Sequence, residues 1–219
     1  MIKVVGSSSA GNGYIIEDGD KTYCIEAGMP LQSILAKANY IPEWVFVSHK
    51  HGDHAKYIQQ YINAGIKVIT NKQVRREYGL TILDIADDHR VVRADVVHDP
   101  SVDTQCMIFE SNSVKVGFFT DCMGINLPQV KGLTHLLIET NWSNHTINDD
   151  LYHSARSRSV HQSLEQAIIY INNMDINRLQ DVYLIHLSDD NASPTMFKGR
   201  VKKILPKGIG VHVLGVNDE

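Results

Sequence analysis

Hydrophobic positions in this chain alternate or run continuously over short segments separated by polar breaks. Residues 2 to 5, 13 to 17 and 22 to 26 read as strands of a β-meander, with Glu17-Asp18-Gly19-Asp20 as a hairpin turn. Pro30 to Ala38 predicts a short helix and Trp44 to Val47 a buried strand. The periodic segment from Asp53 to Ala64 predicts a helix stopped by Gly65. Ile66 to Thr70 reads as a strand, after which Asn71 caps a basic helix that carries Lys72, Arg75 and Arg76 and closes near Gly79. These charges suit a solvated helix face or a substrate clamp. Strands resume at 90 to 97, 105 to 110, 114 to 120 and 134 to 139, and the chain is then polar and irregular from Asn141 to Ser159. A helix follows from Ser163 to Met174, where Ser163 and Gln166 fit a capping box. Asp181 to His186 reads as a strand, Ser193-Pro194 opens a basic helix, and Val211 to Leu214 is the last strand. Strands that meander, alternate with helices and meander again predict an α/β fold, a four-layer αββα sandwich forming one domain over residues 1–219.

Composition narrows the class without naming a function. The 219 residues are 43% hydrophobic and 21% charged, as in an ordinary globular protein, and are enough to bury a full core. No apolar run approaches the length of a membrane span, and Met1-Ile2-Lys3-Val4-Val5-Gly6 enters a strand at once with no signal-peptide pattern. A cytoplasmic protein is the expectation. Cys24, Cys106 and Cys122 form no paired framework and read as small core residues, with Cys122 set apart because it follows Asp121. A net charge of −4 gives no global attraction for nucleic acid, although a local basic patch can provide it.

Chemistry concentrates in Ser48-His49-Lys50-His51-Gly52-Asp53-His54, where four metal-ligand side chains fall within six residues between a strand and a helix. In extended backbone His49 and His51 point to the same side and can reach one cation, while Asp53 and His54 face a second point where the chain turns. A two-cation site needs further ligands, and these belong where strands end. His98, Asp121 and His186 each close a largely apolar run. Upstream, the glycine-rich loop from Gly6 to Gly13 is either an idle flexible loop or a set of hydroxyls and amides facing the metal loop or a phosphate.

His49-x-His51-x-Asp53-His54 followed by His98, Asp121 and His186 resembles the signature of the metallo-β-lactamase superfamily. The likeness is closest to its YycJ (WalJ)-type exonuclease-like branch, through Gly6-Ser7-Ser8-Ser9-Ala10-Gly11-Asn12, Thr120-Asp121, Ile138-Glu139-Thr140-Asn141, His161-Gln162-Ser163 and His186-Leu187-Ser188. The resemblance implies that His49, His51 and His98 hold one divalent cation, that Asp53, His54 and His186 hold a second, and that Asp121 bridges them. Glu26 stands where the family usually has an Asp, and Trp142 replaces a common His. Imidazole suits Zn²⁺, and the two carboxylates also admit Mn²⁺.

Two such cations can share a hydroxide and hold the oxygens of an in-line displacement, and the resemblance implies that Asp53 stands beside that hydroxide to orient it or accept its proton. His161-x-Ser163 is similar to the histidine motif of phosphodiesterase members, which implies that His161 stabilises the transition state or protonates the leaving oxygen and that Ser163 lies near the phosphate. The competing reading makes Ser163 only an N-cap. The implied activity is a nuclease, with Arg156 and Arg158 supplying part of a basic track for nucleic acid. The alternative is a cyclic-nucleotide phosphodiesterase of the phage anti-defence type, and a thioester or lactam hydrolase or a non-catalytic scaffold stands further off. Small-nucleotide members of the superfamily are often dimers, so a homodimer is a further expectation. Residues 141–159, with Tyr152, His153, Arg156 and Arg158, would then complete a partner's pocket or remain solvated.

Overall fold

A computed structural model describes residues 1–124, 126–148 and 152–214. The first sheet has the order β1 (Ile2–Gly6), β2 (Gly13–Asp18), β3 (Lys21–Ile25), β4 (Trp44–Val47) and β5 (Lys67–Thr70). β1 to β3 pair antiparallel as a meander, while β3, β4 and β5 pair in parallel. The second sheet comprises β6 (Val91–Val96), β7 (Thr104–Glu110), β8 (Lys115–Phe119), β9 (His135–Glu139), β10 (Asp181–Ile185) and β11 (Gly210–Val213). Here β6, β7 and β8 pair antiparallel, and β8 to β11 are parallel with the order β8-β9-β10-β11.

Helices cover both outer faces. α1 (Leu31–Leu35), α2 (Gly52–Ala55), α3 (Ile58–Asn63) and α4 (Lys72–Glu77) lie on the first sheet. α6 (Leu164–Asn173) and α7 (Pro194–Ile204) lie on the second, and α5 (Tyr152–Val160) precedes them. Strand alternation divides the apolar residues among three cores. Tyr14, Trp44, Phe46 and Phe118 meet between the sheets; Ile15, Val45, Ile58 and Val74 pack under the first helical layer; Leu136, Ile138, Ala167 and Phe197 pack under the second. Central strands are thus buried on both faces, which is why β4 and β9 read as unbroken apolar runs. The αββα architecture expected from the pattern is the one observed. Among the described residues no helix is long and apolar enough to cross a membrane.

Two expectations need correction. The single helix expected over 53–64 is two, α2 and α3. Asp53 O accepts from Asn12 N at 2.8 Å and His54 O from Ala27 N at 2.7 Å, while Tyr57 N donates to Ala27 O at 2.9 Å. These tertiary bonds take the groups that a continuous helix would have paired with one another. The segment 141–159, expected to be irregular, contains α5. Its buried positions are Ser154, Ser157 and Val160, three residues apart, so the face is helical in spacing but largely polar in composition.

At the end of the sandwich where β4 begins, Asp88 joins three elements. Its carboxylate accepts from Trp44 Nε1 at 2.9 Å and from Arg90 Nε and Nη2 at 2.9 and 2.6 Å. Arg90 also donates to Tyr23 OH at 2.6 Å and lies 5.0 Å from the centroid of that ring. The Arg90 donors hold the Asp88 carboxyl well below the usual range against the opposing effect of burial. Asp88→Asn is expected to lower the unfolding free energy by about 1–3 kcal/mol at neutral pH. A carboxyl depressed in the folded state contributes stability above its unfolded pKa and loses it as pH falls toward the folded one. The difference from wild type should therefore narrow from about pH 5 toward about pH 2. Urea unfolding across that range checks both; a gap that ignores pH would remove the charge from the explanation.

Candidate metal centre

The ligand-type side chains converge on one edge of the sandwich because strand ends converge there. The loop carrying His49, His51, Asp53 and His54 follows β4, His98 follows β6, Asp121 follows β8, Glu139 closes β9 and His186 follows β10. These are carboxyl ends of strands that run the same way, the edge on which open α/β sheets bind ligands. Two of these positions, Asp121 and His186, are backbone corners, as is Glu26 after β3. Their φ of 43°, 54° and 64° is a left-handed conformation that costs a non-glycine residue about 1–3 kcal/mol. Packing under the metal loop is equally demanding, since a Cβ on Gly28 would sit 1.7 Å from Asp53 O.

All seven residues expected to bind metal are brought together. His49, His51, His98 and Asp121 form one group whose donor atoms lie within 4.8 Å of one another, and Asp53, His54, Asp121 and His186 form a second. Asp121 belongs to both. Its Oδ2 lies 3.1 Å from His49 Nε2, 3.2 Å from His54 Nε2 and 3.7 Å from His98 Nε2, while Oδ1 lies 3.1 Å from His186 Nδ1. His186 Nε2 and His54 Nε2 each sit 3.1 Å from Asp53 Oδ2.

A further layer fixes the rings. Nδ1 of His49 meets Ser48 Oγ at 2.9 Å, Nδ1 of His98 meets Val160 O at 2.8 Å, and Nδ1 of His54 lies 3.2 Å from Glu26 Oε1. For His49 and His98 a proton held on Nδ1 would turn the Nε2 lone pair inward, as metal-ligating histidines require, while His54 Nδ1 and Glu26 Oε1 lie close without a hydrogen bond. His51 differs, with Nδ1 itself 2.9 Å from His49 Nε2. Glu26, noted in the sequence only as a departure from Asp, thus lies against His54. Its other oxygen accepts from Ser48 N at 3.2 Å.

Charge balance tests the donor set against a cation. Asp121, Glu26 and Glu139 are buried, as are His49, His54, His98 and His186. Burial pushes His49 down to about 3, helped by His54, so its ring is neutral. For His54 and His186 burial also disfavours the charged form, but the surrounding carboxylates outweigh it. They raise His54 well above its ordinary value and His186 to about 10. Burial likewise opposes ionisation of Asp53 and Asp121, yet His54 and His186 hold both carboxyls low. The carboxylates therefore draw protons onto imidazoles that are oriented as ligands. His98 Nε2 and Asp121 Oδ1 are buried without a hydrogen-bond partner in the protein. Orphaned donor atoms, imidazoles facing inward and buried carboxylates that draw protons onto them together fit divalent metal.

A cavity of about 570 Å³ opens over this cluster, lined by His51, Asp53, His98, Asp121, His161 and His186, with Arg156, Ser157, Asp189 and Asp190 around its mouth. His161 reaches it with Nδ1 2.7 Å from Glu139 Oε1. Glu139 is fully buried, and its Oε2 accepts from Cys122 N and Gln162 N at 2.9 and 3.3 Å. Burial raises its pKa, but His161 and His186 overcome that and keep it below the ordinary carboxylate value. Glu139 was not singled out in the sequence, although it closes an apolar strand just as Asp121 does.

Of the residues expected near a phosphate, Arg156 lines the cavity, whereas Ser163 and Arg158 do not. Ser163 Oγ accepts from Gln166 N at 3.2 Å and Gln166 Oε1 accepts from Ser163 N at 2.8 Å, a complete capping box for α6. The Arg158 guanidinium instead lies over Trp142, 5.2 Å from the ring centroid. Trp142 Nε1 donates to His161 O at 3.1 Å, so the residue replacing the family's His holds the segment that carries His161. The side chains of Tyr152 and His153 lie outside the described residues. The glycine-rich loop faces the metal loop: Asn12 Nδ2 lies 3.3 Å from Asp53 Oδ2 and from His54 Nε2, and Ser7 Oγ accepts from His186 N at 2.9 Å.

No family model matches the sequence, and no curated protein matches it. Solved structures do. The metallo-β-lactamase fold protein YhfI from Bacillus subtilis superposes with a TM-score of 0.69 at 14% identity, over 97% of this chain and 95% of that one. Zn²⁺-bound PqqB from Methylobacterium extorquens gives 0.66 at 13% identity over 100% and 99% of the two chains. The short form of human tRNase Z gives 0.63 at 12% identity over 97% and 95%. At these identities the likeness concerns architecture, and with the layer order and sheet topology above it shows that this chain has the metallo-β-lactamase fold.

Proposed function

We propose that the protein is a metal-dependent hydrolase of phosphodiester bonds, a nuclease resembling the YycJ (WalJ)-type branch. The observation that carries this reading is His161, which lines the same cavity as the metal-ligand cluster and has its Nδ1 2.7 Å from the buried Glu139 Oε1. His49, His51, His98 and Asp121 would hold one divalent cation and Asp53, His54, His186 and Asp121 the other. Zn²⁺ or Mn²⁺ there would supply Lewis acidity that activates water and neutralises phosphoryl oxygens.

The chain's own residues supply the rest. Asp53, kept ionised and held by Asn12, accepts a proton from the attacking water at Oδ2. Glu139 occupies His161 Nδ1, so Nε2 is the nitrogen left to protonate the departing alkoxide. A phosphodiester needs this help because its leaving group is a poor one; thioester cleavage gains little from it. Arg156 at the mouth can meet a non-bridging oxygen or the next phosphate. The likeness to human tRNase Z supports the same chemistry by fold analogy.

The cyclic-nucleotide alternative draws on a separate observation. Among the described residues Arg156 is the one arginine or lysine that lines this cavity, and Asp189 and Asp190 line it too. That balance suits a ligand with a single phosphodiester, whose base a carboxylate can read.

Asp121→Ala should lose bound metal and activity together, measured by elemental analysis of the purified protein and by turnover. His161→Ala should keep the metal content of wild type and lose about 10²–10⁴ in kcat on phosphodiesters. Full activity in that variant would sink the proton-donor role. A panel of single- and double-stranded DNA, tRNA precursor, 3′,5′-cyclic nucleotides and a thioester, each with Zn²⁺ and with Mn²⁺, tests the substrate class. Cleavage of the thioester alone would overturn the reading.

A further inference from the structure

A second cavity, about 550 Å³, is lined by Val96, Val102, Asp103 and Thr104, from the segment whose His98 lines the metal cavity. Lys72 and Arg75 of α4 and Arg93 of β6 line it as well. Three cations thus face two carboxylates, Asp95 and Asp103, in a protein whose net charge is −4.

The polar groups of this cavity are unevenly satisfied. Arg93 Nη1 donates to Thr70 O at 2.7 Å, and Asp95 Oδ1 accepts from Gln105 Nε2 at 2.9 Å. By contrast, Arg75 Nε and Thr104 Oγ1 are buried without a hydrogen-bond partner in the protein, and Thr104 is only 2% exposed. A buried donor left unpaired is destabilising, and a ligand oxygen would offset that cost. A guanidinium, an ammonium and a hydroxyl facing one space make the donor set of a phosphate site. The neighbouring Asp103 carboxylate suits an exocyclic amine or a ribose hydroxyl, and the volume is that of a small-ligand pocket.

The cavity is also wired to the metal loop. Asn71 Nδ2 donates to Ser48 O at 3.0 Å and Gln105 N to the same oxygen at 3.2 Å, and Ser48 Oγ meets His49 Nδ1. One residue therefore separates the cavity wall from a metal-ligand side chain.

We propose that this second cavity binds a nucleotide phosphate through Lys72, Arg75 and Thr104. The ligand class rests on the proposed phosphodiester chemistry. Two sources share it: a neighbouring nucleotide of a bound strand, or a free mononucleotide acting as an effector.

The test uses the full chain loaded with Mn²⁺, as wild type, as Lys72→Ala, and as the double variant Lys72→Ala/Arg75→Gln. Binding of a fluorescein-labelled single-stranded oligonucleotide is followed by anisotropy across a salt series. The double variant should bind about tenfold more weakly, with a salt slope reduced by about 1, and Lys72→Ala should shift both the same way by less. Turnover of bis(p-nitrophenyl) phosphate, too small to span the cavities, should stay at the wild-type value. Calorimetric titration with AMP separates the sources: a wild-type signal lost in the double variant identifies a free nucleotide, and loss confined to the oligonucleotide identifies a strand. Unchanged affinity and slope for both probes would overturn the proposal, as would an equal fall in turnover of the small substrate. A wild type that binds through these residues but hydrolyses no phosphodiester keeps the cavity and removes the proposed function. Hydrolysis with no dependence on Lys72 or Arg75 does the reverse.

Discussion

Burying carboxylates and imidazoles together at one edge of a sandwich is the constraint on which this structure turns. Each charge taken out of water there carries a penalty of several kcal/mol unless it meets an opposite charge or a hydrogen bond. Asp121, at the centre, meets His49, His54 and His186 within 3.2 Å, and each of these rings is held from behind by a further side chain. The backbone is bent to make this assembly possible. Left-handed corners at Glu26, Asp121 and His186 turn strand ends so that their side chains point at one another, and Gly28 lets the first sheet come close under the metal loop. Strain of this kind persists only where surrounding structure over-determines it. Here the three cores of the sandwich supply that rigidity.

The same edge carries two kinds of chemistry side by side. Around Asp121 the donor atoms fit a metal, and Glu139 and His161 join that cluster through Asp121 and His186, with Glu139 held against the His161 ring. His186 Nδ1 lies 3.2 Å from Glu139 Oε1. Glu139 thus contacts a ring of the ligand cluster and the His161 ring with the same buried carboxylate. In the proposed mechanism it would link water activation to leaving-group protonation.

Much of this was legible in the sequence because it obeys simple periodicities. Strands buried on both faces read as apolar runs, and ligand-type residues that close such runs mark the site edge. That rule located His98, Asp121 and His186, and it applies equally to Glu26 and Glu139, which stand at the ends of β3 and β9. What escaped was decided by contacts distant in sequence. The break between α2 and α3 follows from bonds to Asn12 and Ala27, which no local pattern around Asp53 can disclose. α5 escaped because its buried face is built largely of serine, and hydrophobic periodicity is blind to a small polar face that packs. Arg156 and Arg158 differ only in which side of that helix they occupy, so the sequence could not tell the one lining the cavity from the one lying over Trp142.

Trp142 gives this arrangement a further property. It holds the His161 segment by a neutral indole N–H on a backbone carbonyl, while its own carbonyl accepts from Leu164 N at the start of α6. Neither bond involves a formal charge, so ionic strength and the occupancy of the metal cluster leave both nearly untouched. The backbone that carries His161 is consequently referenced to the second helical layer, while its ring is referenced to the ligand cluster through Glu139. The two ends of one residue thus answer to different parts of the fold, so a change in the cluster reaches the imidazole through a carboxylate and leaves the chain behind it in place.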